Sequence, residues 1–247
     1  MTRGTRSARR SAGACPPTPA RVDSAALRGS PVLGGLPPPA LGRLVARLRR
    51  RHYCRGEVVL RQGEPGDTLH LVLEGRLKGL VVSPSGEEVV LRVFGPGDLF
   101  GELSVLDGGP HSATVVALEP VYTATLARAD LQALLRQSPE AVEGLLRTLV
   151  GLIRRHGERL VDILALDLPG RLANVLLELA QAHGRQIGDA IHIEARLTQE
   201  DLAGMIGGTR ATVNKLLGQF EAQGAIARSG RRIAIVDAGA LRLRARS

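Results

Sequence analysis

The chain has 247 residues, with 44% hydrophobic and 23% charged residues and a formal net charge of +9. That length suits one large domain or two small ones, and the composition excludes wholesale disorder. There is no run of 18 apolar residues, so no membrane helix is expected, and the Arg-rich start lacks the apolar segment of a secretory signal. Cys15 and Cys54 are too few for a disulfide framework or a four-ligand metal site, so reduced thiols and a cytoplasmic setting are the default.

Basic residues are unevenly placed. All but Lys78 and Lys215 are arginine, a skew that a GC-rich coding bias explains without any function. Residues 1–50 sum to +9, residues 51–167 to −4 and residues 168–247 to +4. An acidic middle followed by a basic end suits a sensor joined to a nucleic-acid-binding module.

Residues 1–30 are rich in Arg, Ser, Ala, Pro and Gly and are expected to form a disordered basic tail. Such a tail could touch DNA nonspecifically, or could stem from an unused upstream start. Pro37-Pro38-Pro39 opens a short amphipathic helix with Leu41, Leu44, Val45 and Leu48 on one face and Arg43, Arg47, Arg49, Arg50 and Arg51 on the other.

Over residues 53–127 the period changes. Short apolar runs at 58–60, 69–73, 77–82, 89–94, 113–118 and 121–126 are separated by turns rich in glycine. This spacing predicts an antiparallel barrel or sandwich, with a short helical turn near residues 100–106. A short helix is expected at 128–137. Pro139 then opens a long one, whose seam Val142, Leu146, Leu149, Ile153, His156, Leu160 and Ile163 steps by 4, 3, 4, 3, 4, 3. Three heptads argue a dimerisation helix; an ordinary core helix packed on the barrel is the alternative. Asp167-Leu168-Pro169-Gly170 interrupts the pattern as a hinge or a simple cap. A helix from Arg171 to about His183 follows, then a loop and a short strand at 191–193.

Thr198, an N-cap, precedes Gln199-Glu200-Asp201 and a short helix. Gly207-Gly208 makes a turn, and Thr209 caps a second helix that buries Val213, Leu216, Leu217 and Phe220. This is a helix-turn-helix. Arg210, Ala211, Thr212, Asn214 and Lys215 face outward. An arginine there can fork onto guanine O6 and N7, while Thr209, Thr212 and Lys215 suit phosphates or base edges. Thr198 and Gln199, at the start of the first helix, join this DNA-binding set. A hairpin over residues 223–236 adds a wing with Arg228, Arg231 and Arg232.

Three stretches together resemble the Crp/Fnr family of bacterial transcription regulators, across about residues 36–237. They are Gly97 through Leu103 with His111-Ser112-Ala113-Thr114-Val115, Leu166 through Ala173, and Thr198 through Leu217. The resemblance implies an α+β fold: an N-terminal antiparallel β-roll of the cyclic-nucleotide-binding, jelly-roll kind at 31–138, a dimerisation helix at 139–166 and a winged helix-turn-helix at 167–247. It implies an effector site at Gly101, Glu102, Leu103, His111, Ser112, Ala113 and His156, with cAMP or another cyclic nucleotide as effector. Backbone N–H groups near Gly101 and Leu103 would meet the cyclic phosphate, and Glu102 the ribose 2′-hydroxyl.

Two departures bear on that site. The family's Arg-Ser-Ala triplet stands here as His111-Ser112-Ala113, and its Thr-Ser pair on the long helix as His156-Gly157. Losing a bidentate charge-assisted pair costs about 1.5–3 kcal/mol. An imidazolium at His111 would restore part of it. Two readings therefore stand: a cyclic-nucleotide-responsive regulator, or one whose degenerate pocket leaves DNA binding independent of nucleotide. Two cysteines exclude the iron–sulfur cluster of the family's oxygen-sensing branch within one chain, and no histidine is marked as a haem ligand. The family's Arg-Glu-Thr-Val recognition sequence stands here as Arg210-Ala211-Thr212-Val213, which implies an operator altered at one base pair per half-site. Double-stranded DNA, a second copy of the chain and RNA polymerase are the partners implied, and no membrane. No metal site is expected. No clustered carboxylates, metal-spaced histidines or activated nucleophile suggests an enzyme.

Overall fold

A computed structural model of the protein describes Val22, residues 27–30 and residues 32–246. Most of the stretch expected to be a disordered tail lies outside these. Within it, Val22 and Leu27 are buried, Leu27 completely, so packed chain begins before residue 31. Two apolar side chains here find a cluster large enough to cover them.

Helix α1 (Pro38–Val45) buries Leu41 and Leu44. Eight strands follow: β1 (Arg49–Tyr53), β2 (Val58–Leu60), β3 (Thr68–Glu74), β4 (Leu77–Val82), β5 (Glu88–Phe94), β6 (Leu99–Phe100), β7 (Thr114–Ala117) and β8 (Val121–Ala127), with helix α2 (Glu102–Asp107) between β6 and β7. They form two antiparallel sheets, ordered β1-β8-β3-β6 and β2-β7-β4-β5. Val72, Phe100 and Val121 of the first sheet pack with Leu77, Phe94 and Val115 of the second, so the two close face to face on a small core.

Each outer face is covered differently. On the first sheet, Leu69, Leu71 and Leu126 meet α1, helix α3 (Arg128–Gln137) and the start of helix α4 (Pro139–Ala165). On the second, Leu80, Val90 and Val93 join a larger cluster with helices α5 (Leu168–His183), α6 (Gln199–Ile206) and α7 (Arg210–Ala222). A further four-stranded sheet, β11-β12-β10-β9, is built from β9 (Gly184–Ile187), β10 (Ala190–Ile193), β11 (Ile226–Ser229) and β12 (Arg232–Ile235). Helix α8 (Ala238–Arg244) packs back on α5. The winged module is thus docked on its own chain's β-roll.

Several expectations are corrected. Arg49, Arg50 and Arg51 are not a helix face but part of β1, paired with β8. Helix α1 ends first, and Arg50 lies over the Tyr122 ring at 4.2 Å while pairing with Glu74 at 2.7 Å. The turn before residue 100 leads into the short strand β6, and the helical turn starts only at Glu102, after Gly101 at φ 81°. Helix α5 starts at Leu168 rather than Arg171, because the Asp167 carboxylate caps it by accepting from Gly170 N at 2.9 Å. Strand β9 and helix α8 have no counterpart among the expected elements.

Along α4 only Ala141, Gly144 and Leu145 are buried. Seam residues Val142, Leu146, Ile153, Leu160 and Ile163 are exposed in the single chain, Ile153 at 70%. Leu149 instead turns partly onto the β-roll cluster.

Candidate functional site

One cavity, of about 90 Å³, lies between the second sheet, α2 and α4. Its wall includes Gly101, Glu102, Leu103, His111, Ser112, Ala113 and His156, so the fold brings every expected effector residue to one place. Gly101 permits the approach: at φ 81° a side chain is strained, and a Cβ would lie 2.9 Å from Thr68 O. The loop from Gly108 to Ser112 is tied back by backbone bonds between Glu64 and His111 and between His111 and Gly63, each 2.9 Å. Arg128 donates to Gly66 O at 2.7 Å and Ser104 O at 2.8 Å, which clamps this loop region to α2.

His111 reaches the cavity wall with its ring held by neighbouring groups. It is buried, its Nδ1 lies 2.9 Å from Ser104 Oγ, and its ring packs against Gly66, where a Cβ would come within 2.1 Å. Burial pulls its pKa below the ordinary imidazole value, against the opposing pull of Glu64 and Asp67. His70, its neighbour, stacks on Phe100 with centroids 4.7 Å apart and is pushed down to about 4 by burial and then by His111 and Arg51. Glu102 is raised above the usual carboxylate range by burial, only partly offset by its backbone N–H and by Arg92.

The helix-turn-helix is built as its residue types require. Thr198 Oγ1 accepts from Asp201 N at 3.0 Å, and Asp201 Oδ2 accepts from Thr198 N at 2.7 Å, a full capping box. Gly207 ends α6 at φ 67°, and Thr209 caps α7 by accepting from Thr212 N at 3.2 Å. Arg210, Ala211, Asn214 and Lys215 are exposed, whereas Val213, Leu216, Leu217 and Phe220 are buried. Thr209 and Thr212 hydroxyls lie 2.9 Å apart, and Gln199 Nε2 donates to Asn214 Oδ1 at 3.1 Å, which fixes α6 against α7. In the wing Arg228 forks onto Glu221, with Nε at 2.9 Å and Nη2 at 2.6 Å, while Arg231 and Arg232 stay exposed.

Polar contacts join the modules. Lys78 of β4 donates to Asp201 at 2.5 Å and to Glu88 at 3.2 Å, and Arg76 donates to Glu194 at 2.6 Å. Arg159 of α4 bonds Met205 O at the end of α6. Arg171 donates to Ile163 O at 2.6 Å and Leu166 O at 2.9 Å, stapling the α4–α5 break; Arg244 pairs with the capping Asp167. Sequence reasoning passes over Lys78, Arg92, Leu152 and Arg159, because nothing local marks an isolated charge or leucine as belonging to a site. Among the described residues no cluster of three metal-type side chains occurs, and no helix is long and apolar enough to cross a membrane.

Two family models match: a cyclic nucleotide-binding domain over residues 50–138 and a Crp-like helix-turn-helix domain over residues 170–244. A "CRP-like cAMP-activated global transcriptional regulator" of Mycobacterium tuberculosis is 38% identical over 215 residues, 87% of this chain and 96% of that protein. The "Cyclic AMP receptor protein" of Thermus thermophilus is 32% identical over 81% of this chain and 89% of its own length. A solved CRP/FNR-family transcriptional regulator from Thermus thermophilus, 26% identical, superposes with a TM-score of 0.67, covering 81% of this chain and 99% of that one. The chain belongs to the Crp/Fnr family of transcription regulators, a non-enzymatic family.

Proposed function

We propose that the protein is a homodimeric regulator that binds a cyclic nucleotide in the β-roll cavity and a near-palindromic DNA operator through two copies of α7. The observation that carries this is the cavity itself, which gathers Glu102, Ser112, Ala113 and α4's His156 around one space. Glu102 accepts from the ribose 2′-hydroxyl, and Ser112 donates to the phosphate. His156 touches the bound base and lies on the same helix as the exposed apolar seam, so ligand and dimer contact share one element. The functional units run over residues 31–138, 139–166 and 167–247. Arg159 and Arg171 join the end of α4 to α6, the scaffold of the reading helix. Effector binding biases that joint by favouring one of two arrangements. Arg210 reads guanine, Ala211 offers only a methyl group, and Thr198, Gln199, Thr209, Thr212, Asn214 and Lys215 position α7 on the backbone and groove.

Calorimetric titration with cAMP and cGMP, paired with operator binding, tests this. Micromolar binding that tightens operator affinity is expected. Absence of binding by both nucleotides, with operator binding intact, would favour the second reading, a degenerate pocket. The burial of His111 is the observation that favours it. In that case His111→Arg should restore binding.

A further inference from the structure

We infer that Arg92 reads the base of the bound nucleotide and makes the pocket prefer guanine over adenine. The inference rests on the cyclic-nucleotide reading above. Among the described residues in the cavity wall, Arg92 is the one guanidinium.

The sheet places it. Gly79 pairs with Val115 on one side and with Arg92 on the other, and all three line the cavity. Residues in one cross-strand row share a face. Val115 and Arg92 are therefore about 10 Å apart, two strand spacings, with the side-chain-free Gly79 as the floor between them. Gly79 has to be glycine, since a Cβ would meet the Phe94 ring at 2.9 Å. Ser112 and Ala113 lead into β7, so the anionic end of the ligand belongs at the Val115 end. Arg92 stands at the opposite end, close enough to Arg155 of α4 for the two charges to act on each other. That end is the one next to His156.

The guanidinium is held in a fixed plane. Its Nη2 donates to Asp98 at 2.8 Å, and its central carbon lies 4.5 Å from the Phe94 ring centroid. Asp98 is itself fixed by accepting from Gly95 N at 2.8 Å. The pair leaves Nη1, Nε and the second hydrogen of Nη2 to donate. A fork of donors matches the O6 and N7 acceptors of guanine, whereas adenine presents an acceptor beside a donor. Glutamine, with one donor and one acceptor, matches adenine instead.

The test is calorimetric titration of the full-length protein and of Arg92→Gln with cGMP and with cAMP, with thermal melting to confirm that the variant is folded. The expected result is a cGMP preference of about five- to a hundredfold in the native protein, lost or inverted in Arg92→Gln. A cAMP preference in the native protein overturns the inference and leaves the nucleotide reading standing. So does a cGMP preference that Arg92→Gln retains. Binding of neither nucleotide by the native protein overturns both. Should Arg92→Gln not fold, Arg92→Met serves, and an unchanged nucleotide ratio in it overturns the inference.

Discussion

Replacing Lys78 by methionine would cut the most buried ionic contact between the β-roll and the reading module. Lys78 Nζ sits 2.5 Å from Asp201 Oδ1, with side chains only 14% and 5% exposed. Breaking a fully buried pair by removing one partner costs about 3–5 kcal/mol, and a hydrogen bond to a charged group about 1.5–3 kcal/mol. Asp201 is not stranded, because Thr198 N and Oγ1 each donate to its Oδ2 at 2.7 Å. The methionine also keeps most of the apolar stem. We therefore expect a loss of about 2 kcal/mol, near the lower end of these ranges.

The pH dependence has a definite sign. Burial alone would raise the Asp201 pKa, but the Lys78 ammonium and the Thr198 donors outweigh it and hold it below the usual carboxylate value. A depressed carboxylate contributes stability fully above its unfolded pKa, about 4, and loses it as pH falls through the folded value. The gap between native protein and Lys78→Met should be constant from about pH 6 to 8 and narrow below about pH 4. Urea denaturation of the native protein, Lys78→Met, Asp201→Asn and the double variant measures this. The double-mutant cycle should return a coupling of about 1–2 kcal/mol. A coupling below about 0.5 kcal/mol, the limit of additivity for independent sites, would refute the reasoning. So would a gap that does not change at low pH.

Arg210→Ala should weaken binding to the preferred operator by about 1–3 kcal/mol, measured by fluorescence anisotropy at fixed salt; little change would remove α7's reading role. Ala211→Glu should alter base preference at one symmetric pair of positions in selected-site sequencing, and an unchanged consensus would mean that α7 docks differently. In the proposed dimer, Ile153→Glu, on a side chain 70% exposed in the single chain, should convert dimers to monomers in sedimentation, since it places a charge in an apolar seam. Gly66→Ala should lower the melting temperature, because the added Cβ would lie 2.1 Å from the buried His111 ring; a neutral result would show that the loop moves freely.

Local pattern is enough wherever one element's own residues decide it. Glycine-bounded apolar runs in this chain form strands, the 4-3 seam of Val142 to Ile163 forms one continuous helix, and Thr198 and Thr209 are N-caps. Each depends on contacts within a few residues, which spacing encodes. The residues expected at an effector site are legible because their motifs match a known family, and they line one cavity. Strand β1 is not legible: Arg49-Arg50-Arg51-His52-Tyr53 carries no apolar alternation and is held by β8, by Tyr122 and by Glu74. Strand β9 is exposed along its length and exists because β10 pairs with it. The position of Arg92 across Gly79 from Val115 follows from strand register, the burial of His111 from Gly66 and Ser104, and the docking of α6 from Lys78 and Val90. Partners in these contacts stand up to 123 residues apart, as for Lys78 and Asp201, and no local period carries such a pairing. Chain order and local period set the succession of strands and helices; only the closed sheets decide which charges face the cavity and which bind the β-roll to the helix-turn-helix.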